Sequence, residues 1–275
     1  MTADVNRRVL PGFSLSLGYT IFYLSLVILL PMGAGFLKAS TLSFDAFWEA
    51  VSSQRAIAAY LLTLGASFAS AAINIVLGVL VAWVLVRYEF PLKRLFDSLV
   101  DFPFALPTAV AGLVYSSLFV KNGWYGRFLV PLGIQGAYSR LGIVLVLIFI
   151  GFPFVVRTLQ PVLEGLERDV EEASACLGAN RFQTVTRVIL PSITPAIITG
   201  FALAFARSLG EYGSVVFISG NMPFKTEIAP VLVVARLEEF NYAEATAIAV
   251  VLLLISFVTL FGINLIERWS SRHHG

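Results

Sequence analysis

Long uncharged runs alternate along the chain with short polar stretches. The runs are Val9–Leu37, Ala56–Val86, Phe102–Val120, Leu141–Val156, Val188–Ala206 and Ala245–Ile266. A helix that crosses a bilayer needs about 20 apolar residues. The fourth run reaches that length if it continues through Arg157 to Leu163, with the arginine snorkelling into the headgroups. The fifth reaches it by continuing past Arg207 and Glu211 to Ser219. The pattern predicts an all-α, polytopic membrane protein with six transmembrane helices. The first run follows Arg7 and Arg8 as a signal peptide would, but it is too long for a cleaved apolar region and no clear cleavage site follows. It is read as a retained first span.

The polar stretch Glu164–Pro191, EGLERDVEEASACLGANRFQTVTRVILP, separates the fourth and fifth runs. Leu166, Val170, Ala173 and Leu177 recur at spacings of four, three and four, which predicts a short amphipathic helix with Glu167, Asp169, Glu171 and Glu172 on its remaining surface. Gly178 suits the left-handed position that ends such a helix. Asn180 is placed to cap a second helix carrying Phe182, Val185 and Ile189 towards Leu190-Pro191. Two helices about a glycine turn make a compact knob fit for a groove on a partner.

Composition sharpens the class. Hydrophobic residues make up 58% of the chain and charged residues 13%, with a mean hydropathy of +0.85. Soluble domains carry about 25% charged residues. No polar stretch is long enough for a soluble second domain, so residues 1–275 read as a single transmembrane domain with one polar loop at 164–191. Neither an internal repeat nor a low-complexity segment is present. Cys176 is the single cysteine, which excludes an internal disulfide. His273 and His274 fall in a terminal tail, and no nucleophile–base pair, carboxylate dyad or metal cluster is discernible. No Lys follows a Gly, so a P-loop is absent; if transport is driven by ATP, another chain must bind it.

Charge also gives the orientation. With a cytoplasmic N-terminus, Arg7, Arg8, Arg87, Lys93, Arg94, Arg157, Arg168, Arg181, Arg187, Arg268 and Arg272 fall inside, against Lys38, Arg55, Lys121, Arg127, Arg140, Lys225 and Arg236 outside. The excess favours cytoplasmic termini and a cytoplasmic knob. Small residues crowd the second run at Ala66, Ser67, Ala69, Ser70, Ala71, Ala72 and Gly78, as close packing of membrane helices requires. Pro103, Pro107, Pro191 and Pro195 stand at starts of the third and fifth runs, where they set kinks.

Arg207 and Glu211, in FARSLGEYGSVVFISGN, are the charges expected deepest in the membrane. Four residues apart on a helix, they can pair. Two readings stand: an ion pair that only holds helices together, or an arginine beside the path of an anion with Glu211 holding it or closing a gate. Ser208 and Ser214 supply hydroxyls in the second reading, and Gly210 and Gly213 close backbone approach.

Glu172-Ala173-Ser174, three residues, Gly178, nine residues and then Val188-Ile189-Leu190-Pro191 resembles the EAA loop of ABC importer permeases, with Ser174 where a second alanine is usual. The resemblance implies that Glu171, Glu172, Ala173, Ser174, Gly178, Leu190 and Pro191 couple the chain to a cytoplasmic ATPase. DFPFALPTAVAGL, NGWYG, PFVVRTLQPVLE and ARSLGEYGSVVFISGN are similar, over nearly the whole chain, to the T-type permeases of sulfate/thiosulfate ABC importers. Molybdate permeases are close relatives of that family. The resemblance implies a type I ABC importer permease fold in the cytoplasmic (inner) membrane, a W-type sister permease forming a heterodimer, two ATPase subunits and an external sulfate-binding protein. Surrounding lipid is expected, and nucleic acid is not. No cofactor is expected on this chain, with ATP and Mg held by the ATPase. A secondary anion transporter is the rival class, but it would place more ionisable groups within its spans.

Overall fold

The computed structural model describes residues 13–272; Arg7, Arg8, His273, His274 and the start of the first run lie outside them. The described residues form helices and connecting turns, with no strand. Phe13–Leu24, a π turn at Ser25–Leu29 and Leu30–Ala39 run on as one helix, α1. There follow α2 (Phe44–Ser52), α3 (Gln54–Arg87), α4 (Lys93–Val100), α5 (Thr108–Phe119), α6 (Arg140–Gly165), α7 (Arg168–Cys176), α8 (Arg181–Leu209), α9 (Ala229–Glu238) and α10 (Tyr242–Arg272). Among the described residues, α1, α3, α6, α8 and α10 are long and apolar enough to cross a membrane.

The third run departs from the expected single span. Phe102–Ala105 makes one turn, the chain extends at Leu106 and Pro107, and α5 is only 12 residues long. The residue before a proline is pushed out of the helical region, which is why Leu106 breaks the run. The fifth run also differs: α8 ends at Leu209, and Glu211 lies in the turn before a short helical turn at Val215–Ile218.

Helices α3, α6 and α8 form the central bundle, burying Val155, Val156, Leu159, Leu163, Ile193 and Phe205. Of the small residues of α3, Ala66, Ser67, Ser70, Ala71 and Gly78 are buried, Ala69 is half-buried and Ala72 is exposed; Asn74 is buried beside them. A Cβ on Gly78 would stand 2.5 Å from Cγ1 of Val155, so hydrogen at this position is what lets α3 and α6 touch. Without a hydrophobic drive between helices in lipid, such close contact supplies the association. Helix α10 packs on α1, α8 and α9.

Both π turns stand immediately before a proline. Ser25–Leu29 precedes Leu30-Pro31, and Val185–Ile189 precedes Leu190-Pro191. A proline has no N–H to offer and its ring presses on the carbonyl four residues back, so a wider turn there relieves the clash without ending the helix. Helix α8 therefore continues from the polar stretch into the membrane core.

Candidate functional site

The knob forms as the sequence indicates. Glu167 opens α7, and Gly178 takes φ +84° at its end. The Asn180 side chain accepts from the Gln183 N–H and the Gln183 side chain accepts from the Asn180 N–H, both at 2.9 Å, closing a capping box on α8. Ser174 is buried, donating to the Glu171 carbonyl at 2.7 Å and sharing a 2.9 Å hydrogen bond with Thr184 across the turn.

The faces of the knob are the reverse of a soluble amphipathic helix. Val170, Ala173 and Leu177 point away from the body, as does Phe182 of the second helix; Leu177 is 89% exposed and Phe182 75%. Glu172 is exposed beside them. Glu171 turns inward instead, its carboxylate 2.7 Å from the guanidinium of Arg87 at the end of α3. The same guanidinium donates to the Leu166 carbonyl at 3.1 Å and lies over the Trp83 ring, 5.4 Å from its centroid. An open cavity of ≈ 830 Å³ is lined by this corner together with Glu172, Asn180 and Arg181. Leu190 and Pro191 sit where the knob becomes α8.

At the other end of α8, Arg207 lies 2.6 Å from Glu211, although the helix has already ended. The Glu211 side chain is 3% exposed and that of Arg207 is 35% exposed. The second carboxylate oxygen of Glu211 accepts from the N–H and hydroxyl of Ser214 at 2.9 and 3.0 Å. A buried anion is thereby held on both oxygens, and it fixes one side of a cation that remains open. Ser208 does not join this group: it donates to the Ala204 carbonyl and packs 3.4 Å from the hydroxyl of Ser70 on α3. Gly112 of α5 abuts the Ser214 backbone closely and Gly213 faces the Thr108 hydroxyl, so the broken third run supports the turn that carries Glu211.

Arg157 is engaged by side chains of the chain itself. It donates to Asp101 at 2.8 and 2.6 Å, to the Asp97 side chain at 2.6 Å, to the Asp97 carbonyl at 2.8 Å and to Gln160 at 2.6 Å. The Gln160 amide and the Arg157 guanidinium hold the Asp97 carboxyl below its usual range, against the opposing effect of burial. This node ties α4 to α6. On the far side of the central bundle, Arg55 grips Glu227 through two hydrogen bonds of 2.8 and 2.7 Å, fixing the loop before α9. Sequence reasoning reaches neither node, nor the Arg87–Glu171 pair, because each joins residues separated by between 56 and 172 positions.

Residues 74–273 match the family model described as "Binding-protein-dependent transport system inner membrane component". The chain is similar to the sulfate transport system permease protein CysT of Salmonella typhimurium, 49% identical over 97% of this chain and 96% of that protein. The protein of the same name from Synechococcus elongatus is 51% identical over 97% and 96%. Among solved structures, a bacterial ABC transporter that imports the polysaccharide alginate aligns with TM-score 0.76 at 20% identity, covering 93% of this chain and 94% of the other. An inward-facing MetNI methionine ABC transporter aligns with TM-score 0.60 at 18% identity, covering 83% and 99%.

Proposed function

Because the chain belongs to the family of binding-protein-dependent transport system inner membrane components, we propose that it is the T-type permease of an ATP-driven importer of sulfate and thiosulfate. In this reading residues 1–275 form one permease domain with both termini in the cytoplasm, paired with a W-type sister. Two cytoplasmic ATPase subunits hold ATP and Mg, and an external sulfate-binding protein delivers the anion. The relatives' identity of about half over nearly the full length supports the substrate class.

The observation that carries the mechanism is the continuity of α8. One helix joins a knob with an exposed apolar face, Leu177 and Phe182, to the half-open cation Arg207. The ATPase covers the knob's apolar face. When ATP draws the ATPase pair together, the knob moves and α8 carries that displacement to the Arg207 end. The two states alternate access, and ATP shifts their balance only by its unequal binding to them. Arg207 offers a positive charge open on one side to a divalent oxyanion, and Glu211, itself held by Ser214, keeps it in place.

The test is reconstitution in liposomes. The chain with sister permease, ATPase and loaded binding protein is expected to accumulate sulfate only when ATP is supplied on the ATPase side. Sustained uphill uptake by this chain alone overturns the importer reading, and uptake of molybdate in preference to sulfate overturns the substrate assignment.

A further inference from the structure

The ends of three helices meet at one side chain. Helix α6 stops at Gly165, and Leu166 takes an extended conformation, so the carbonyls of its last turn have no partner within the helix. The knob begins two residues later. Arg87, the final residue of α3, reaches across this break: one arm donates to the Leu166 carbonyl at 3.1 Å, and the guanidinium sits 2.7 Å from Glu171 in the knob. A cation at a helix C-terminus is favoured by the helix dipole as well as by the carbonyl it caps. The guanidinium stands over the Trp83 ring one turn back, and the Arg87 side chain is only 11% exposed.

These contacts carry a mechanical consequence. Besides Arg87, the knob is joined to the core by the extended break at Leu166, by the π turn before Pro191 and by the apolar packing of Leu166 and Ile189, so Arg87 is the polar tie between the end of α3 and α7. The hydrogen bond between Ser174 and Thr184 and the capping box stiffen the knob itself, but neither reaches a spanning helix other than α8. We infer that Arg87 is a positioning residue whose clasp on Glu171 and Leu166 makes α3 move with the knob, so that the ATPase stroke is delivered to α3 and α8 together. The inference rests on the importer reading given above. It assigns Glu171 an internal role, distinct from the exposed Glu172, which is left to face the ATPase. The clasp stays closed through the cycle, because an opened pair would leave Glu171 and the α6 carbonyl without their cation.

The test uses the full complex and a charge exchange. Arg87→Glu and Glu171→Arg each put like charges together, and the double variant restores an opposite pair. Spin labels at the native Cys176, which is exposed, and at Val76→Cys on the exposed side of α3 report whether knob and helix move as one. The unaltered pair is expected to give one narrow distance with and without ATP. Each single exchange should broaden it or make it shift with ATP, and should cut anion uptake per ATP hydrolysed about tenfold, within the usual span of coupling between sites. ATPase co-purification should persist in both, and the double exchange should recover the narrow distance and at least part of the uptake. A distance that already shifts with ATP in the unaltered pair overturns the clasp, as does a single exchange that leaves distance and uptake per ATP unchanged. So does a double exchange that remains as broad as the singles. The distance measurement needs no transported anion: a complex that moves no sulfate fails the function while the label distances still decide the clasp.

Discussion

The hydroxyls of Ser174 and Thr184 lie 2.9 Å apart, a hydrogen bond that staples the two helices of the knob across Gly178. Ser174 stands where the resemblance to the EAA loop leads one to expect alanine, and the structure accommodates its hydroxyl: it is buried, donating to the Glu171 carbonyl and bonded to Thr184. Loss of one such bond costs about 0.5–1.5 kcal/mol. Ser174→Ala is accordingly expected to lower the melting temperature slightly and leave transport intact. Ser174→Leu, which must force a branched chain between the helices, is expected to release the ATPase on co-purification. Equal behaviour of the two variants overturns the packing argument.

Gly178 separates backbone strain from crowding. Its φ is +84°, yet a Cβ built there meets no atom within 4 Å. The left-handed conformation costs a residue with a Cβ about 1–2 kcal/mol, least for Asn. Gly178→Asn should therefore preserve ATP-driven uptake, whereas Gly178→Val or Gly178→Pro should reduce it with the chain still inserted in the membrane. Uptake assays on the three variants at matched expression check the order. Glu172→Lys, by contrast, changes only the charge on the exposed face and should weaken ATPase retention without altering the permease's own melting temperature.

The knob is legible in the sequence because its signals are local. Apolar spacing, a glycine stop and an asparagine cap each act within a few residues, and the structure places the turn at Gly178 and the cap at Asn180. The inward turn of Glu171 is not legible, since its partner Arg87 is 84 positions away and nothing in either neighbourhood marks the other. Hydropathy also misjudges the third and fifth runs. It registers the apolar character of Phe102–Val120 but not the extended Leu106 before Pro107, and it cannot see α8 end at Leu209 while Glu211 folds back onto Arg207. The acidic partners of Arg157 are hidden for the same reason: they lie on α4 and just beyond it, out of reach of any window.

The Asp97 carboxyl gives a pH signature. Its pKa is lowered in the folded chain, so its stabilising contribution is complete above the usual aspartate range, about 4, and disappears as pH falls through the lowered value. Asp97 is 43% exposed, and solvent screening keeps the effect small, below about 1 kcal/mol. Melting temperatures of the purified chain and of Asp97→Asn should differ at neutral pH and converge as pH drops below that range. A difference that persists unchanged into acid assigns the effect to shape and not to charge.

Arg207 and Glu211 can be told apart because their burial differs so much. Removing Arg207 leaves the Glu211 carboxylate with the Ser214 N–H and hydroxyl still donating to it, and it removes a side chain that is 35% exposed. Arg207→Met should consequently assemble, at a cost below the roughly 3–5 kcal/mol of a fully buried broken pair, yet lose sulfate uptake. Glu211→Met leaves the buried Ser214 donors without an acceptor, about 1–3 kcal/mol each at worst, and frees Arg207, so complex yield should fall. The double variant restores charge balance but not the anion's partner: its yield should exceed that of Glu211→Met while uptake stays as low as in Arg207→Met. Arg207→Lys keeps the charge without the planar fork and should fall between. Complex yield and uptake measured side by side decide between the two roles, for a pair that only ties the turn to α8 must transport normally once both charges are gone. Full uptake by the double variant therefore removes Arg207 from the path.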